Sequence, residues 1–239
     1  MRWRTAPERV IPEAAGELAT AFGEALRTLV LYGRAVRQDR RPDGIAVGFA
    51  AVADPLTFQH LQRVAQWWAR WRSYRIATPL LFSAGDLARS CDVFPLEFLE
   101  IQTNHRTLAG EDLFARLPLR PACVRTQCER EVKGKLLRLR TLYLECCDST
   151  RKLRSLMVAS HATFLLVVRG LLYLRDQSWS GDARSALAAF ERQYGCRMPI
   201  MAALSGESDL GPIEQRFADY LAEVETLAHL ADRTTVRQP

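Results

Sequence analysis

The sequence predicts an α+β fold: a small mixed β-sheet domain over residues 1–117, an all-α four-helix bundle over 118–233 and a disordered tail over 234–239. Two observations carry this. Before Pro118–Pro121, short continuous apolar runs alternate with helical segments, the pattern of buried strands between helices. After it, apolar residues recur at intervals of three and four, the pattern of helices that bury one stripe.

In the first half, Pro12 is expected to open a helix that ends near Arg27. Thr28–Tyr32 and Ile45–Val52 read as central strands because both are apolar throughout. Asp54-Pro55 then starts a helix through Leu61, Val64, Trp68 and Trp71. Arg75–Phe82 reads as a third strand, placed at an edge by Pro79, which has no backbone N–H to give to a ladder. Ser83–Ser90 reads as a short helix with Ser83 as its cap. Val93–Gln102 is read as the last strand, followed by a turn and the loop Ala109-Gly110-Glu111-Asp112.

The second half opens with a helix from Pro121 to Cys147. Its stripe is Val124, Cys128, Val132, Leu136, Leu139, Tyr143 and Cys146. A second helix spans Thr150–Leu174, and a third runs from a Gly181-Asp182 cap to Gly195. A fourth follows Gly211-Pro212 and aligns Ile213, Phe217, Tyr220, Val224, Leu227 and Ala231 on one side. Such stripes bury themselves best in an antiparallel bundle.

The chain has 239 residues, with 33 Lys+Arg against 27 Asp+Glu. A net charge of +6 favours anionic partners, and it equally fits an arginine-rich protein with no such role. The start, Met1-Arg2-Trp3-Arg4, has no apolar segment after it, so a signal peptide is not expected. The apolar run Leu156–Leu174 is broken by Ser160, His161, Thr163 and Arg169, which suits a buried bundle helix better than a membrane span. The six cysteines form no Cys-x-x-Cys, and the four histidines have no ligand spacing. Reduced thiols in a cytoplasmic protein are expected.

Three segments carry a resemblance: Leu29-Val30-Leu31-Tyr32-Gly33-Arg34; Asp92 to Ile101 together with Leu108-Ala109-Gly110-Glu111-Asp112; and Gln127 to Leu137. The chain resembles the polymerase-beta-like nucleotidyltransferase superfamily, and within it a bacterial group with a C-terminal helical domain. The pattern there is a strand, a Gly-Ser turn, a loop, then Asp-apolar-Asp on the next strand. Carboxylates two apart on a strand share a face and hold the metal pair that activates the attacking hydroxyl. Here Arg34 stands at the Ser position, and Gly44 and Ala46 stand where the aspartates are expected. Neither has a side-chain oxygen, so the resemblance implies a scaffold without its catalytic residues, a pseudoenzyme needing no cofactor.

The remaining candidates follow from that frame. Glu97 interrupts an apolar run and matches the third carboxylate; it is either a remnant metal ligand or the partner of Arg34 or Arg130. On a strand, Glu100 would face away from Glu97. Arg34 either fills the vacant pocket or holds an anion by charge. On the long helix, Gln127, Arg130, Glu131, Gly134, Arg138 and Thr141 share a side away from the apolar stripe. A mid-helix glycine costs about 1 kcal/mol against Ala, so Gly134 suggests close approach by a ligand or another segment. The face either grips a nucleotide or is a solvated surface with Glu129–Lys133 and Glu131–Lys135 pairs. The expected nucleotide-binding set is therefore Gly33, Arg34, Arg130, Gly134 and Arg138. Were the chain active, Asp43, Glu97 and Glu100 would be the displaced ligands for Mg²⁺ and a nucleoside triphosphate.

Trp67, Trp68 and Trp71 offer base stacking backed by Arg70 and Arg72, or a helix packed on the sheet. His60, His105, His161 and His229 have no catalytic partners by spacing, and His161 reads as a satisfied core histidine. The partners expected are a nucleotide or RNA, with a protein partner or homodimer as the other class and no membrane.

Overall fold

The structure is a computed structural model that describes residues 7–33, 36, 47–74, 76–176, 182–206 and 210–236. It is a mixed α+β protein: a four-stranded sheet with flanking helices, followed by helices alone. Two compact units divide the chain. One comprises Met1–Asp92 and Phe98–Pro118, the other Val93–Glu97 and Leu119–Pro239.

In the first unit, helix α1 spans Pro7–Phe22 and carries Pro12 inside it. The sequence put Pro12 at the start; proline forfeits one backbone hydrogen bond there, and the helix continues because Ile11, Ala14, Leu18 and Phe22 bury one face. A 3-10 turn, Gly23–Ala25, ends it before Arg27, which belongs to the first strand. Strand β1 (Leu26–Tyr32) is central, antiparallel to β2 (Gly48–Ala53) on one side and to β4 (His105–Gly110) on the other. Strand β3 (Leu80–Ser83) pairs in parallel with β2 at the sheet edge, directly after Pro79. The order is β3-β2-β1-β4. Helix α2 (Phe58–Arg72) starts at a capping box of Thr57 and His60, not at Asp54-Pro55. Helix α3 (Ala84–Arg89) is capped by Ser83, whose hydroxyl accepts the Asp86 N–H at 3.0 Å.

One expected element is overturned. Val93–Gln102 is not a strand: Pro95–Thr103 forms helix α4, and the fourth strand is β4, in the stretch expected to hold a turn. Leu96, Phe98, Leu99 and Ile101 are all buried, and a run buried on most sides has no period that separates strand from helix. Pro95 at the first helical position is the local signal for helix.

The second unit holds α5 (Pro121–Cys146), α6 (Thr150–Tyr173), α7 (Ala183–Tyr194), α8 (Pro199–Leu204) and α9 (Ile213–Arg233). The four long helices are those the apolar stripes predict; the short α8 was not expected. Asp182 caps α7 by accepting the Ser185 N–H at 2.7 Å, and Gly195 ends it in the left-handed region. Helix α6 packs against α5, α7, α8 and α9 and is buried along most of its length. It is the one helix among the described residues long and apolar enough to cross a membrane, with 61% of its apolar window buried in the protein. Thr234, assigned to a disordered tail by the sequence, is 1% exposed, and its carbonyl accepts from Arg125 Nε at 2.8 Å. Residues 237–239 lie outside the described residues.

Candidate functional site

The candidate site on the sheet begins where β1 ends. Gly33 has φ +80°, a conformation that favours glycine. Its N–H donates to the Asn104 carbonyl at 3.2 Å, and its own carbonyl accepts the Val36 N–H at 3.1 Å. Its amide is therefore engaged within the fold and not directed at a phosphate. Arg34, Asp43, Gly44 and Ala46 lie outside the described residues.

The described strands themselves carry no carboxylate. Gly48–Ala53 is buried at every position and wholly apolar. Strands β1, β3 and β4 add Arg27, Thr28, Tyr32, Ser83, His105, Arg106 and Thr107 as their polar side chains, with no Asp or Glu. Over Gly48 lies the ring of its cross-strand partner Tyr32, and a Cβ there would stand 2.6 Å from the ring.

Glu97 was expected on a neighbouring strand as the third carboxylate. It lies instead in the first turn of α4 and accepts a hydrogen bond from Gln127 Nε2 at 2.9 Å. The other end of that amide, Oε1, accepts the backbone N–H of Leu96 at 2.8 Å. Its partner among the described residues is thus Gln127 and not Arg130, while Arg34 lies outside them. Strand parity no longer separates it from Glu100, because three residues along a helix is nearly one turn.

On α5, Gln127 is 4% exposed and belongs to the interior, while Arg130, Gly134, Arg138 and Thr141 face outward. A Cβ at Gly134 would meet nothing within 4 Å, so no close approach explains that glycine. Neighbouring charges are taken up by the bundle. Glu129 pairs with Lys133 at 2.7 Å and with Arg125 at 3.3 Å; Lys133 also reaches Asp232, and Arg140 reaches Glu225. Arg130 and Arg138 are in no such pair among the described residues.

The tryptophans of α2 are packing groups. Trp67, Trp68 and Trp71 border a narrow crevice with Leu18, Phe49 and Ile76. Trp71 Nε1 donates to Glu17, which also pairs with Arg70, and the Arg70 guanidinium lies 4.4 Å from the Trp71 ring centre. Trp71 is buried under Arg70, whereas Trp67 is 41% exposed.

His105, read from spacing as partnerless, has one. Its Nε2 lies 2.9 Å from Asp112, and its Nδ1 lies 2.9 Å from the Ile101 carbonyl. Partial burial pushes the Asp112 carboxyl up, but bonds from His105 and the Ala115 N–H outweigh it and hold the group below its usual range. With both ring nitrogens engaged, His105 ties β4 to α4. The contact closes seven residues along the chain, at a distance no catalytic motif marks. His161 Nε2 bonds Ser205 Oγ at 2.8 Å inside the bundle. No disulfide joins the cysteines, and burial pushes the Cys128 thiol well above its ordinary range. Among the described residues no three His, Cys, Asp or Glu side chains cluster in a way that could hold a metal ion.

No protein-family model matches the chain, and no curated protein does. Among solved structures it is similar to the crystal structure of spectinomycin adenyltransferase from Enterococcus faecialis with ATP and spectinomycin. That similarity has a TM-score of 0.48 and 11% identity, covering 91% of this chain and 99% of that one. A likeness this distant bears on neither activity nor substrate.

Proposed function

We propose that the chain is a nucleotidyltransferase-like protein that has lost transfer chemistry and acts as a nucleotide- or RNA-binding regulatory module in the cytoplasm. One observation carries the reading: no described strand of the sheet bears a carboxylate, and Glu97 is bound to Gln127. A metal pair needs at least two carboxylates on a rigid frame, and the described strands offer none. Arg130, exposed and in no ion pair among the described residues, is a cation open to a polyanion. Arginine matches phosphate through two parallel N–H bonds and needs no metal to do so.

Calorimetric titration with ATP and with a short RNA, each in Mg²⁺ and in EDTA, tests this. Binding is expected in both buffers with similar affinity, and Arg130→Ala should weaken it about tenfold, the loss of one charge-assisted contact. Metal-dependent incorporation of labelled nucleotide into any acceptor would overturn the reading and return Asp43 and Glu100 to consideration as ligands.

A further inference from the structure

Along the outer side of α5, Leu137 and Leu144 are 67% and 76% exposed. They are seven residues apart, two turns, with exposed Thr141 between them, so the three form one continuous strip. Thr141 donates its hydroxyl to the Leu137 carbonyl at 3.2 Å, which leaves its methyl group for contact. N-terminal to the strip, Gly134 is exposed and open, adding no bulk against an approaching helix.

The charges beside the strip are also without partners in their own helix. Positions three and four residues from Arg138 are Gly134, Lys135, Thr141 and Leu142. Those from Glu145 are Thr141, Leu142, Asp148 and Ser149. Neither set contains an opposite charge. Arg138 and Glu145 are themselves seven residues apart, so they lie on the same flank of the strip, two turns from each other. Both are exposed.

We infer that this face of α5 docks on the same face of a second copy of the chain, with the two helices antiparallel. A two-fold axis beside Thr141 turns one helix end for end. Leu137 lies four residues before that point and Leu144 three after, so each copy's Leu137 comes toward the other's Leu144. Arg138 and Glu145 stand three before and four after, so each Arg138 meets the other copy's Glu145 on the same flank. A two-fold interface is built from one patch that complements itself, and this strip does so in both its apolar and its charged positions. A parallel pairing would carry the Arg138 and Glu145 of the second copy to the opposite flank, where neither meets its opposite charge. Arg138, which the sequence offers as a phosphate contact, is thereby assigned to the partner copy, independently of any nucleotide binding at Arg130.

Sedimentation velocity of the full chain over a concentration series tests the assignment. The weight-average sedimentation coefficient should rise from the monomer value toward that of a dimer, and Leu144→Glu should abolish the rise. Leu137→Gln is the milder substitute if helix content measured by circular dichroism drops. Arg138→Glu and Glu145→Arg should each weaken association by about tenfold or more, since each sets like charges together twice. Mixing those two variants should restore it, because an antiparallel heterodimer regains both opposite-charge pairs. A monomer at all concentrations, a dimer indifferent to Leu144→Glu, or a mixture no tighter than its components would overturn the proposal.

Discussion

Gln127 on α5 holds the start of α4 with both ends of its amide, Oε1 accepting the Leu96 N–H at 2.8 Å and Nε2 donating to Glu97 at 2.9 Å. Leu96 is 0% exposed, so its N–H has no water to turn to if the acceptor is lost. The residue that a search for a third catalytic carboxylate singles out is thus one side of a structural clamp.

Gln127→Leu should therefore destabilise the chain by about 1–3 kcal/mol, the cost of leaving a buried donor unpaired. Gln127→Glu keeps an acceptor for Leu96 but sets a second carboxylate against Glu97. It should be destabilised at neutral pH and recover as pH falls and one of the two takes a proton. Urea unfolding at two pH values reads both; equal loss for Gln127→Glu at pH 5 and pH 8 contradicts the clamp.

Two mid-helix glycines should respond in opposite senses to alanine. At Gly134 a methyl group meets nothing within 4 Å, so Gly134→Ala should add up to ~1 kcal/mol through helix propensity alone. At Gly170 on α6 a methyl group would stand 2.5 Å from both Cys128 Sγ and a Leu96 methyl. Gly170→Ala should cost about 1–3 kcal/mol by overpacking despite the same propensity gain. Thermal unfolding of the two variants, scanned side by side, checks the contrast.

These glycines also show what a sequence can carry. Gly134 and Gly170 look alike in one dimension, and only the packing around them tells them apart. Local devices were legible: Ser83, Asp182 and Gly195 sit at helix ends because their side chains or backbone freedom satisfy end groups with residues a few positions away. The strand read over Val93–Gln102 failed because its surroundings, not its own pattern, bury it on most sides. Glu97 was legible as a carboxylate needing a partner, but the partner, Gln127, lies thirty positions along the chain. Helix α8 was missed for a related reason: its backbone amides are met by Glu223, from a distant helix.

Glu223 provides the last prediction. It is 7% exposed on α9 and accepts the backbone N–H groups of Ile200 at 2.6 Å and Met201 at 2.9 Å. Burial pushes its carboxyl up from 4.5 to about 7, against the opposing pull of those two bonds, with Glu191 and Asp219 adding to the rise. A pKa raised on folding means that the native state holds the proton more tightly than the unfolded chain. The associated stability is full below about pH 4.5 and is lost as pH climbs through about 7. Glu223→Gln keeps an acceptor for the α8 amides and removes the titration. Between pH 4.5 and pH 8, wild type should lose about 3 kcal/mol relative to that variant, since each tenfold difference in proton affinity between the folded and unfolded chain is worth ~1.4 kcal/mol. Chemical unfolding of both proteins across that range measures the difference. Parallel stability profiles would show that the carboxylate is ionised at little cost, with water reaching it between α8 and α9.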